Sequence, residues 1–458
     1  MPSPSRWQGN RRASDAARIY TRVYIRWAMA HIWCTGRAPD LESTVETIPR
    51  TLDHTRNSSD AMAKREWMLT DTSTGTYARS FAIGPSDVPG TADGFSVTRK
   101  TLEGGLRHGV ELLEVDTGSS QLSIVPTRGM GIWKASIGGV PLEWKSPIRG
   151  PVHPAFVPLS DPSGLGWLDG FDETLVRCGL RSNGAPDFDS RGQLVYPLHG
   201  TIANRPAHVL RVSVDGDTGQ IQVTGVVDES RFLFQKLRLT STITTRTGEH
   251  GFRVNDVVTN VSGQQAEIQL LYHFNVGPPL LGAGSRLVAP VQAVVPRDDV
   301  AARAIDSWDV YAAPRSGFAE QVFFLDLLPD RNGQTPVLLK NAPGTKGVCI
   351  HFDRSALPWF TLWKNTAAHA DGYVTGLEPA TNLPNPRSYE GRQGRVVTIG
   401  PGQSVAMQID VRVQINASEI ARVEQAIAAI QKDVPRHAYP QPQPGWSPAG
   451  EDQQKRGS

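Results

Sequence analysis

Three short stretches concentrate side chains of catalytic type beside Gly and Pro: LHGTIANRP (198–206), LLYHFNVGPPLL (270–281) and GLEPATNLPN (376–385). The second places His273 and Asn275 at the end of an apolar strand just before the chain breaks. With a period of two, Gln269, Leu271, His273 and Asn275 share one face of that strand, and Ile268, Leu270, Tyr272 and Phe274 form the dry one. Glu378, between Gly376 and Pro379 with Thr381 and Asn382 following, is a carboxylate on a constrained backbone. His199 precedes a glycine in a turn-rich stretch with Asn204 and Arg205 nearby. A histidine able to carry a proton near neutral pH and a positioned carboxylate suit general acid–base chemistry without a cofactor. Each residue also has a bland reading: a satisfied strand histidine, a His-Gly turn, or a salt-bridge partner for Lys364. Phosphate-loop, dinucleotide, HExxH and GxSxG motifs are missing from the sequence, so the candidate chemistry rests on ordinary side chains.

The elements that must position these groups are strands. From residue 75 to 415, segments such as QLSIVP, QIQVTGVV, LFQKLRLTSTITTRT, EIQLLYHF and SVAMQIDVRVQI alternate or run apolar, with Gly, Pro, Asn and Asp as punctuation. IGGV (137–140) and VDGDTGQ (214–220) carry hairpin chemistry. This spacing predicts an all-β chain of antiparallel sheets packed face to face. One helix is predicted after the last strand, opened by the capping pair Asn416 and Glu419 and followed by Ile420, Val423, Ile427 and Ile430.

The ends read differently. Residues 1–62 hold nine arginines and no lysine, and Arg18, Arg22 and Arg26 lie four apart. The expectation there is an N-terminal extension, disordered or loosely docked, with a surface-binding amphipathic helix as the alternative. Residues 63–433 are expected to form the sandwich domain. The Pro- and Gln-rich stretch 434–458 is expected to be a disordered tail. Charge is balanced, 47 basic against 45 acidic residues, which argues against nucleic acid and for a small-molecule partner. Three scattered cysteines fit a reducing, cytoplasmic setting, and no run is long enough for a membrane span. Oligomeric state stays open.

The order of Leu-His-Gly with Asn and Arg after it, a strand ending His-Phe-Asn, and a late Glu-Pro resembles the aldose 1-epimerase (galactose mutarotase-like) superfamily. Its less characterised branch is the nearer likeness, through Arg128 to Trp133 (RGMGIW), Arg177 to Leu180 (RCGL) and Trp363 to Asn365 (WKN). The resemblance spans roughly residues 80–415. It implies a β-supersandwich fold and no cofactor or metal. His273 would protonate the sugar ring oxygen, Glu378 would take the proton of the anomeric hydroxyl, and His199 would bind substrate, with Asn275 following on the same strand. One position departs: Ala203 stands where better-known members usually carry an arginine, with Asn204 and Arg205 beside it.

Trp133, Trp167 and Trp363 are candidate apolar faces for a sugar ring, or core residues. Arg128, Arg177 and Lys364 would favour a carboxylated or phosphorylated sugar if they face the pocket, or would pair with Glu173, Asp169 and Glu378. The expected function is sugar epimerisation, most simply α/β anomer interconversion. A carbohydrate-binding protein without turnover, and an isomerase or lyase on a keto sugar or sugar acid, are the alternatives.

Overall fold

Val, Ile, Leu and Thr alternating with polar residues give Gln220–Ser230 and its hairpin neighbour Lys236–Arg246 a strict in-and-out burial pattern, as expected of strands packed on one face. The computed structural model describes residues 64–457 except Ala92, with side chains to Gln453. It is mostly β: a ten-stranded and a fourteen-stranded sheet. The strands used below are β1 (Leu175–Leu180), β2 (Lys236–Arg246), β3 (Gly251–Asn260), β4 (Ala266–Val276), β5 (Gln321–Leu327), β6 (Trp359–Asn365) and β7 (Val374–Ala380). In the smaller sheet β2 pairs antiparallel with β3. In the larger, the order β5-β6-β7-β4-β1 is antiparallel throughout.

The two sheets bury one apolar layer between them. Tyr272 and Phe274 of β4, Phe323 and Leu325 of β5, Phe360 and Leu362 of β6 and Leu377 of β7 meet Leu239 and Ile243 of β2 and Val254 and Val258 of β3 in that layer. β4 is buried along almost its whole length on both faces. Its second face is covered by a separate cluster in which Leu271 joins Val176, Cys178, Trp144, Trp167 and Phe171. The dry face assigned to β4 from its alternation is therefore the inter-sheet face.

Of the helices, three matter here: α1 (Arg387–Arg392), α2 (Ala417–Gln431) and α3 (Pro448–Gly457). α2 starts where predicted. The Asn416 side chain accepts the Glu419 N–H at 3.0 Å, and Glu419 reaches back to the Ile415 N–H at 2.9 Å. Ile420 and Ile427 bury against Leu338 and Cys349 on the outside of the smaller sheet.

The C-terminal stretch corrects its expectation of a disordered tail. His437–Ala438 adds a short parallel pairing to the strand Val291–Pro296. Trp446 packs edge-on against Trp359 at 5.4 Å, Asn385 donates to the Trp446 carbonyl at 2.9 Å, and Arg395 donates to that of Gly445 at 2.6 Å. Ser447 in turn donates to the Arg297 carbonyl at 2.7 Å. A segment too polar to make its own core is held by a single indole and by hydrogen bonds to side chains and carbonyls of the body of the fold. The N-terminal extension and Cys34 lie outside the described residues. None of the described helices is long and apolar enough to cross a membrane.

Candidate active site

The outer face of β5-β6-β7-β4 carries a cavity of about 300 Å³, lined from the sheet by Val322, Thr361, Trp363, Glu378 and His273. That is at the lower end of the range for small-molecule pockets, roughly 300–1,000 Å³. Its roof is the turn Gly166–Gly170 with Phe171 just beyond it, and the His199 turn closes one side. The Arg128 side chain holds the roof: buried, it pairs with Glu173 and donates to the carbonyls of Gly170 (2.9 Å) and Val152 (3.0 Å) and to Asn204 Oδ1 (2.8 Å).

His273 and Glu378 come from neighbouring strands. His273 Nε2 stands 3.3 Å from Glu378 Oε1. Gly376 makes room for both, since a Cβ there would lie 2.5 Å from Glu378 Oε1 and 2.8 Å from His273 Cε1. Gly376→Ala is expected to fold but to lose at least tenfold in any turnover at the pair, because a misplaced group loses its near-attack geometry. Steady-state rates beside an unfolding curve check this.

Burial pushes the Glu378 carboxyl well above the usual carboxylate range, with the nearby Glu320 adding to the effect. Burial pushes the His273 imidazole well below its ordinary value, and the second imidazole of His199 adds to that. Both shifts favour the neutral forms of the pair, carboxyl and imidazole. Around it the rings of Phe171 (5.3 Å), Trp363 (5.5 Å) and His199 (5.5 Å) surround His273. Four buried polar atoms on the cavity wall make no hydrogen bond within the protein: Glu378 Oε1, His273 Nδ1, Thr361 Oγ1 and Trp167 Nε1. Buried donors and acceptors of this kind need partners, and ligand hydroxyls would supply them.

His199 has φ +58°, a conformation uncommon outside glycine. Its Nδ1 lies 2.8 Å from the Asn183 carbonyl, so that nitrogen carries the hydrogen and Nε2 keeps a lone pair. Asn183 and Asn382 exchange two amide hydrogen bonds of 2.9 Å, tying the His199 loop to the chain just after Glu378. Desolvation lowers the His199 pKa to about 4, against a smaller raising effect of the Asn183 carbonyl. The folded state thus resists a proton that the unfolded chain accepts from about pH 6.5 downward, so stability falls as pH falls from 6.5 toward 4. His199→Gln is expected to flatten part of this slope in denaturant melts taken across that range.

The structure brings together His199, His273, Glu378, Trp167 and Trp363, and turns the other candidates away. Arg177 on β1 and Lys364 on β6 alternate to the inter-sheet side. Arg177 pairs with Asp256 of β3 and donates to Ser241 of β2 at 2.8 Å. The Lys364 ammonium donates to the carbonyls of Ser307, Trp308 and Val310 at 3.1, 3.0 and 2.7 Å, and burial lowers its pKa to about 8. Arg128 is consumed by the roof, and Trp133 donates to Asp172 at 2.8 Å away from the cavity. Asn275 is buried beneath it, donating to the Glu173 carbonyl at 2.9 Å, and Arg205 lines a different cavity. None of these six lines the site, which corrects their expected role in binding ligand. Sequence reasoning missed Thr361, Phe171, Arg297 and Glu320. Thr361 lies opposite Glu378 in the β6–β7 ladder. Arg297 and Glu320 reach the mouth together, 2.9 Å apart. Among the described residues no group of His, Cys, Asp and Glu is arranged to hold a metal ion.

Residues 107–413 match the family described as Domain of unknown function (DUF4432). The chain belongs to the DUF4432 family. A crystal structure from Klebsiella pneumoniae, provisionally described as an aldose 1-epimerase, is 34% identical to this DUF4432 protein, covering 82% of this chain and 98% of that one with a TM-score of 0.80. That likeness joins it to the aldose 1-epimerase superfamily. A galactose mutarotase-like protein from Clostridium acetobutylicum is 16% identical over 68% of this chain and 97% of its own, with a TM-score of 0.47. A galactose 1-epimerase from Lactobacillus acidophilus is 11% identical over 70% and 99%, with a TM-score of 0.46. No curated protein matches the sequence.

Proposed function

We propose that this DUF4432 protein interconverts the anomers of an aldose by general acid–base catalysis at Glu378 and His273, with His199 binding substrate. The supporting observation is the 3.3 Å pair in a cavity whose wall keeps unpartnered buried polar atoms. The roles implied by the resemblance need carboxylate and imidazolium, which the pair reaches by moving its proton across that gap. Glu378 then takes the anomeric hydroxyl proton while His273 protonates the ring oxygen. The ring opens, the C1–C2 bond rotates, and closure reverses both transfers. His199 Nε2 accepts a sugar hydroxyl, and Trp167, Phe171 and Trp363 offer apolar faces to the ring.

The cavity also bears on charge. Arg297 is the cationic side chain on its described wall, and it is already engaged by Glu320 and by Asp298, both at 2.9 Å. Neutral aldoses are therefore the expected substrates. An NMR anomer-exchange screen over neutral, acidic and phosphorylated sugars tests both points. Faster exchange of glucuronate or glucose 6-phosphate than of glucose overturns the neutral preference. Binding of sugars with exchange no faster than in buffer overturns turnover and leaves a carbohydrate-binding protein.

A further inference from the structure

A second cavity, about 410 Å³, opens where three separate segments meet, and it receives Arg181, Arg205 and Arg231. Among the described residues none of these guanidinium groups forms an ion pair with a carboxylate; Arg181 is half-buried, and Arg205 and Arg231 are exposed. Arg181 is oriented by its position 5.4 Å over the Tyr196 ring, which carries Arg387 at the same distance. Converging like charges oppose one another unless a counter-charge is supplied. The carboxylate on the wall, Glu229, is held by the Leu180 N–H at 2.8 Å. Burial pushes its carboxyl up, against smaller lowering effects of the Leu180 N–H and of the Arg181 and Arg205 charges.

A second observation is independent of charge. Ser182, 1% exposed, lines the cavity with a hydroxyl that has no partner, and Arg181 Nε is buried and likewise unpartnered. A buried hydroxyl donor beside forked cationic donors matches a group with several acceptor oxygens and more than one negative charge. Gly200 of the His199 turn forms part of the wall. It admits no side chain, because a Cβ would come 2.1 Å from the Ser182 carbonyl and 2.5 Å from that of Gly179.

We propose that this cavity binds a phosphoryl dianion, free or as a small phosphate monoester, through Arg181, Arg205, Arg231 and the Ser182 hydroxyl. The site is separate from the sugar cavity and does not depend on its activity. The test measures unfolding temperature and ³¹P line width on the full chain, titrating inorganic phosphate and, separately, glucose 6-phosphate against chloride of matched ionic strength. Saturable stabilisation and ³¹P broadening are expected. Tighter binding of the monoester would identify an organic ligand, and equal binding a free ion. Because Arg205 and Arg231 are exposed, Arg205→Met/Arg231→Met should fold normally and lose the effect, and Ser182→Ala should weaken it several-fold. No shift beyond chloride, or a shift retained in the double variant, overturns the proposal.

Discussion

Glu378→Gln is expected to cut anomer exchange by about 10²- to 10⁴-fold, the usual worth of one positioned proton transfer, while sugar binding stays measurable. The amide keeps the size of the carboxyl and its place 3.3 Å from His273, but takes up no proton. Stability should move the other way. The Glu378 pKa is raised by burial, so the folded state keeps a proton that the unfolded chain releases above its ordinary value near 4.5. The stability linked to that proton is present below this value and is lost as pH rises through the window above it. The variant should match wild type in acid and exceed it at neutral pH. Exchange by NMR and urea melts at two pH values measure both effects. An undiminished rate in Glu378→Gln would remove the carboxylate from the mechanism.

Arg177→Met should lower stability by about 3–5 kcal/mol, because it leaves the Asp256 carboxylate buried between the sheets without its counter-charge. The guanidinium also donates to the Met130 carbonyl at 2.6 Å and to Ser241, so carbonyl and hydroxyl lose a donor as well. Replacing both members, Arg177→Met with Asp256→Leu, should recover most of the loss. Urea unfolding of the single and double variants gives the comparison. A single variant within about 1 kcal/mol of wild type would show that the pair is not a structural element, since surface-like changes fall in that range.

Much of the architecture was readable from residue patterns. The alternation in EIQLLYHFN assigned both faces of β4, and Asn416 with Glu419 marked the start of α2, because each signal is local. Arg177 and Lys364 were harder. LVRCGL and WFTLWKN are flanked by large residues on both faces, so nothing in either stretch says which side meets the other sheet. Thr361 became visible through its pairing opposite Glu378, a register that no single segment contains. Arg297 and Glu320 belong to different segments that meet by folding, and the C-terminal stretch is held by donors distant in sequence.

The alternation of β5 and β6 also separates two kinds of change. On these strands Val322, Thr361 and Trp363 face the cavity, whereas Phe323, Phe360 and Leu362 are sealed between the sheets. Adjacent residues thus answer to different selective pressures. A substitution on the cavity side alters which ligand fits while the inter-sheet packing keeps the scaffold intact, and one on the hidden side does the reverse. Ligand range in this fold can drift one residue at a time, with every second position held in reserve for stability.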